Sequence, residues 1–104
     1  MQIQINSDNN ITGSEDLIAS STSIISEELS RYSEQITRIE VHFSDEDGNK
    51  DGLNDKRCMV EARLAGMNPI AVINQANTHE KAFSGAIDKL KNSLEKITGR
   101  LKNH

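Results

Sequence analysis

Lys89, Lys96 and Arg100 recur at spacings of seven and four, which at about 100° per residue stacks them along one flank of an α-helix. Ser93 lies between them, and no carboxylate shares their flank. Ammonium and guanidinium groups without an acidic neighbour are suited to neutralising phosphate oxygens, by charge and by N–H donation. The same segment carries Phe83, Ile87, Leu90, Leu94, Ile97 and Leu101 at alternating spacings of four and three, one continuous apolar stripe. Its other flank is mixed: Asp88, Lys91, Glu95 and Lys102 stand where they neutralise one another along the helix. One greasy side to bury and one unpaired cationic side to offer point to a polyanionic partner.

Three other constellations invite chemistry. Asp47-Gly48-Asn49-Lys50-Asp51-Gly52 matches D-x-N-x-D-G, the first half of a calcium loop, and Asp55 falls at its ninth position. The twelfth position, which needs a bidentate Glu, is Cys58, so calcium affinity is expected to be weak and the segment reads as an acidic hairpin connection. Cys58 and His42 would be the members of a nucleophile–base pair, but strand alternation turns Cys58 to the core and His42 to solvent. His79 and His104 stand at opposite ends of the last helix, too far apart to share a metal. With no glycine-rich phosphate loop, no zinc-ligand spacing and no evident carboxylate pair, the sequence predicts neither enzyme, metal nor cofactor.

The formal charge of −4 would by itself argue against a nucleic-acid partner. The charge is unevenly placed, however. Residues 1–55 hold twelve acids against three bases, Arg31, Arg38 and Lys50, for −9, whereas residues 56–104 hold nine bases against four acids for +5. Such asymmetry predicts a polarised surface. A chain of 104 residues makes one domain, 1–104, burying ~65% of its unfolded surface. With no Trp, one Tyr and two Phe, its core must be aliphatic. A single cysteine excludes an internal disulfide and fits a reducing compartment. The longest apolar run is Pro69–Ile73, and the N-terminus is polar from its second residue, so neither membrane span nor signal peptide is expected. A cytoplasmic protein is the default.

These residues need elements to hold them. Met1–Asn6 alternates as a strand. Ser14 is positioned to cap a helix with Glu15 and Asp16 in its first turn, burying Leu17, Ile18, Ile25, Leu29 and Tyr32. Its middle, Ser20–Ser23, is a poor helix former that packing must hold. Ile39, Val41 and Phe43 alternate with Arg38, Glu40 and His42 in a second strand, and 44–55 forms a polar loop. Cys58, Val60, Ala62 and Leu64 mark a third strand and Ile70–Gln75 a fourth. Asn77 with Glu80 resembles a capping box opening the last helix. The order β-α-β-β-β-α predicts an α+β fold, a four-stranded sheet with both helices on its apolar face. The signs of Arg38, Glu40, Arg57, Glu61 and Arg63 on the open face read as cross-strand ion pairs.

Together with that order, Ile87-Asp88-Lys89-Leu90, Leu94, Lys96, Arg100-Leu101-Lys102 and Asn103-His104 resemble the last helix of the ribosome hibernation promoting factor and ribosome-associated inhibitor family. Ile11-Thr12 and Leu29, Tyr32 and Ile36 around the first helix look similar too. Asp55-Lys56-Arg57-Cys58, Glu61-Ala62-Arg63, Gly66 and Pro69 resemble a short subgroup of the family. The resemblance implies a fold similar to a double-stranded RNA-binding domain. It also implies binding to the small ribosomal subunit near the decoding region, where relatives silence ribosomes in stress or stationary phase.

Family contacts come from basic residues on both helices. Lys89, Lys96, Arg100 and Lys102 stand at matching positions, Asn92 and Thr98 replace two others, and the first helix holds no Lys or Arg before Arg31. The expected RNA-binding set is therefore Lys89, Lys96 and Arg100, with Lys102, Lys91 and Arg31 at the rim. Ending at His104, the sequence is expected to be a monomeric short form without the C-terminal dimerisation domain. The alternative function is a protein–protein interaction module of the same fold with little RNA affinity, its acidic first half binding a basic partner.

Overall fold

The computed structural model describes residues 1–8, 11, 13–45 and 55–102, with 100–102 described by backbone alone. The element order is β1 (Gln2–Ser7), α1 (Ser14–Glu28), β2 (Ile36–Asp45), β3 (Lys56–Leu64), β4 (Ile70–Ala76) and α2 (His79–Lys102), with a short 3₁₀ turn at Ser30–Tyr32. The strands lie in the order β1-β2-β3-β4. β1 runs parallel to β2, which requires the crossover that α1 supplies, while β2–β3 and β3–β4 are antiparallel. The fold is α+β, as the pattern of elements predicts.

Alternation along the strands decides which face is covered. Ile39, Val41 and Phe43 of β2 and Cys58, Val60, Ala62 and Leu64 of β3 are buried in one cluster with residues of both helices. The pleat of β2 contains one irregularity: Ile36 pairs with Leu64 but Arg38 with Arg63, leaving Thr37 as the extra residue. That bulge lets Ile36 and Ile39, three apart, both point inward, while the Thr37 hydroxyl donates to the Arg63 carbonyl at 3.2 Å.

The helices run parallel to each other: Asp16, Leu17 and Ser20 of α1 lie beside His79 and Glu80, and Glu28 lies beside Lys91. α1 survives its serine-rich middle by turning hydroxyls back on its own carbonyls, Ser20 to Leu17 at 3.2 Å and Thr22 to Ile18 at 2.8 Å. Ser21 is buried among apolar neighbours, a core position that its residue type conceals.

Both expected caps differ in the structure. Gly13, at φ 72°, is the residue before α1, and no side chain caps the helix, because Ser14 already lies in the first turn. At α2 the cap is Thr78 rather than Asn77, its hydroxyl accepting the Lys81 N–H at 3.1 Å. A helix starting at His79 leaves Asn77 one residue too early.

Candidate nucleic-acid interface

α2 lies across β3 and β4. Phe83, Ile87, Leu90 and Leu94 are buried as their spacing requires, and Ile97 is half-buried against them. Ala82 and Ala86 are also fully buried, and their small side chains bring the helix close to the sheet. The approach is closest at Gly85, where an added Cβ would stand 2.1 Å from Asn74 Nδ2. Asn74, on the helix-facing side of β4, donates to the Ala82 carbonyl at 3.2 Å and so ties strand to helix.

The cationic flank emerges along the β4 side of α2. Lys89 donates to the Ile73 carbonyl at 2.7 Å, a free acceptor on the edge strand, and one bond leaves two of its three donors available. Lys96 is exposed and has no ion-pair partner among the described residues. The helix continues through Arg100 and Lys102, which keeps the Arg100 backbone on the line of Lys89 and Lys96 and the Lys102 backbone on the mixed flank. Lys81, exposed in the first turns, adds a base that flank periodicity omits because it lies ~80° round the helix from Lys89.

The two remaining candidates are held differently. Lys91 Nζ lies 3.2 Å from Glu28 Oε1, and Arg31 Nη2 lies 3.3 Å from Glu95 Oε1 with its guanidinium 4.9 Å from the Tyr32 ring centroid. The mixed flank of α2 therefore pairs across to α1 and the turn after it, and among the described side chains it forms no ion pair along its own helix. Such exposed pairs are worth at most about 1 kcal/mol, so they orient these bases toward the α1 side.

On the open sheet face Arg38, Glu40, Glu61 and Arg63 do not form the expected cross-strand ion pairs. Arg38 faces Arg63 and Glu40 faces Glu61, so like charges stand opposite one another. The opposite charges meet along each strand instead, Arg38–Glu40 at 2.7 Å and Arg63–Glu61 at 3.6 Å. Register decides this, since the bulge fixes which residues are neighbours. The face is also less polar than the alternation predicts: Met59 pairs with Ile73, and Ile73 is 43% exposed.

The alternative chemistries separate cleanly. Cys58 is fully buried, which pushes its thiol up to about 12, whereas His42 faces the other side of the sheet and meets Asp8 at 3.3 Å. His79 begins α2 with its ring edge-on to Phe43 at 5.9 Å between centroids, and His104 lies outside the described residues. Residues 47–52 of the calcium-like loop also lie outside them. Its ninth-position residue, Asp55, meets Lys56 Nζ at 3.3 Å, and the same ammonium meets Asp45 at 2.7 Å, which raises the Lys56 pKa. No cluster of three metal-ligating side chains occurs among the described residues, and no helix there is long and apolar enough to cross a membrane.

Comparison with known proteins bears on the same question. The family model described as sigma 54 modulation protein / S30EA ribosomal protein matches residues 3–102. Among solved structures, the chain is similar to the N-terminal domain of Protein Y from Thermus thermophilus, with a TM-score of 0.70 at 20% identity over 93% of this chain and 99% of that one. It is similar also to a ribosomal subunit interface protein from Coxiella burnetii, with a TM-score of 0.70 at 19% identity over 95% of this chain and 99% of that one. Curated protein sequences give no significant match.

Proposed function

From the premise that this chain belongs to the sigma 54 modulation protein / S30EA ribosomal protein family, a family of ribosome-associated factors, we propose that it docks on small-subunit ribosomal RNA near the decoding region and holds ribosomes inactive. It does so as a cytoplasmic monomer, by binding alone and without catalysis or cofactor. The observation that carries this reading is the β4-side flank of α2, where Lys89 and Lys96 stand with no acid beside them in a chain of net charge −4.

The chemistry is that of phosphate neutralisation. Lys89 is pre-positioned by its bond to the Ile73 carbonyl, so less side-chain entropy is lost when a phosphate arrives. From Lys89 to Arg100 the helix advances ~16 Å at 1.5 Å per residue, enough to meet several phosphates across a groove of folded RNA. Recognition of this kind reads shape and backbone rather than sequence. Lys91 and Arg31 join at the rim when phosphate replaces Glu28 and Glu95 as their partner, an exchange of weak exposed pairs for stronger charge-assisted bonds. α1 contributes no cation, so binding rests on one helix.

Ribosome pelleting tests the proposal. Lys89→Glu/Lys96→Glu/Arg100→Glu is expected to abolish co-sedimentation with small subunits while the circular dichroism spectrum is retained. Arg57→Glu/Arg63→Glu, on the open sheet face, is expected to leave it nearly unchanged. Wild-type affinity is expected to fall with salt at a log–log slope of roughly −2 to −3, about −0.7 to −0.9 per phosphate contact. Pelleting of the triple variant like wild type, or loss of binding in the sheet variant alone, would refute the α2 site.

A further inference from the structure

On the side away from β4, α2 and α1 enclose a groove whose floor is Leu17, Phe83 and Ile87. Ile24 stands on its α1 wall, 39% exposed, one of four large apolar side chains left exposed among the described residues. The rim is acidic: Glu28 on α1, and Glu80 and Asp88 on α2. Glu28 meets Lys91 at the far end, but Glu80 and Asp88 have no ion-pair partner among the described residues. α1 itself carries Glu15, Asp16, Glu27 and Glu28 and no base.

A second, independent feature points into the same groove. Ser21 lines it with only 1% of its surface exposed, and its hydroxyl has no hydrogen-bond partner. A buried hydroxyl without a partner is costly, and each such group in a folded protein calls for an explanation. A ligand group that donates to or accepts from this hydroxyl supplies one.

We propose that the α1–α2 groove is a docking site for a cationic amphipathic segment of another protein. An aliphatic side chain packs against Ile24, Phe83 and Ile87, while flanking Lys or Arg residues meet Glu80, Asp88 and Glu28. The segment's own polar atom satisfies Ser21 Oγ. Charge complementarity selects this occupant. Phosphate is repelled by the carboxylate rim, and a second copy's cationic flank holds only Ser93 between its bases, with no aliphatic anchor. From Glu80 to Asp88 the groove runs ~12 Å along α2, a length that accepts two turns of a helix laid in the helix-in-groove manner. The site goes beyond the ribosomal RNA reading, since it lies on the opposite flank of α2 from Lys89 and Lys96 and leaves them free.

The test uses the purified chain, free of ribosomes, and a fluorescein-labelled Leu/Lys amphipathic helical peptide, with a Leu/Glu twin as control. Saturable binding of the Lys peptide only is expected, with backbone amide shifts concentrated at Ser20, Ile24, Ser84 and Asp88. Glu80→Gln/Asp88→Asn is expected to weaken it about fivefold to tenfold, as for two partly screened ion pairs. Ile24→Ser is expected to weaken it roughly tenfold through lost apolar contact. Lys89→Glu/Lys96→Glu/Arg100→Glu is expected to bind the peptide no more weakly than wild type, so failure of ribosome binding and failure of peptide binding are separate results. Equal binding of the Leu/Glu twin, amide shifts confined to the sheet, or wild-type affinity in Glu80→Gln/Asp88→Asn would overturn the site. So would a dimer in sedimentation that forms without peptide and is dissolved by Glu80→Gln/Asp88→Asn, which would give the groove to a second copy.

Discussion

α1 and α2 lie parallel on one face of one sheet, yet they solve different problems. Among the described side chains, α2 buries six, Ala82, Phe83, Ala86, Ile87, Leu90 and Leu94, and α1 buries three, Leu17, Ser21 and Ile25. α2 carries six bases against three acids, whereas α1 carries four acids and no base. The helix that anchors the fold is also the one that presents the cations. That coupling has a physical use: phosphate contacts need a rigid spacing of charges, and a helix fixed by its core stripe provides it. The less deeply packed helix carries the opposite charge, so the two flanks of the pair present opposite signs.

Core truncation probes the comparison most strongly. Leu90→Ala in α2 is expected to cost about 3 kcal/mol, within the usual 2–5 for a buried leucine. Leu17→Ala in α1, at a position 8% exposed rather than fully buried, is expected to cost less. Urea denaturation of both variants measures the gap, and a larger loss at Leu17 would reverse the ranking of the helices.

The next effect lies where α2 touches β4. Gly85→Ala drives a Cβ into Asn74, which must swing away and release the Ala82 carbonyl. Against a gain in helix propensity of about 1 kcal/mol, overpacking and the lost bond are expected to leave a net cost of about 1–2 kcal/mol. Adding Asn74→Ala is expected to restore part of it. A stabilised single variant would show that the helix has room to move.

Smaller still are the helix starts. Thr78→Ala is expected to cost about 1 kcal/mol by removing the cap of α2, whereas Ser14→Ala is expected to change stability by less than about 0.5 kcal/mol because its side chain caps nothing. Thermal melts that show equal losses would mean that both helices depend on side-chain caps.

The last expectation carries the opposite sign. Ser21→Ala replaces an unpartnered buried hydroxyl with a methyl hydrogen and improves helix propensity, so a gain of about 0.5–1 kcal/mol is expected. A loss on Ser21→Ala would mean that the hydroxyl already has a partner, such as a bound water.

Much of this arrangement is legible in one dimension. The spacing of Phe83, Ile87, Leu90 and Leu94 fixes which side of α2 is buried, and therefore where Lys89 and Lys96 emerge. The pleat likewise separates Cys58 from His42 without reference to any other strand. Ser21 is the counterexample: its residue type says surface, and only the closeness of α2 makes its position core. Lys91 and Arg31 are similar cases, since their partners Glu28 and Glu95 lie more than sixty residues away in sequence.

What the sequence determined by itself are the features governed by short-range periodicity: the six elements, the buried faces of β2, β3 and α2, and the flank of α2 on which Lys89 and Lys96 stand. What the tertiary structure decided are the features that depend on which elements become neighbours. The bulge at Thr37 sets the register that places Arg38 against Arg63, and close approach of α2 to β4 makes Gly85 and Asn74 one contact. The acidic groove exists only because α1 and α2 lie parallel on the same face. The reason is range: backbone geometry imposes the periods of helix and strand within a few residues, whereas register and interhelical contacts come from packing between segments far apart in the chain.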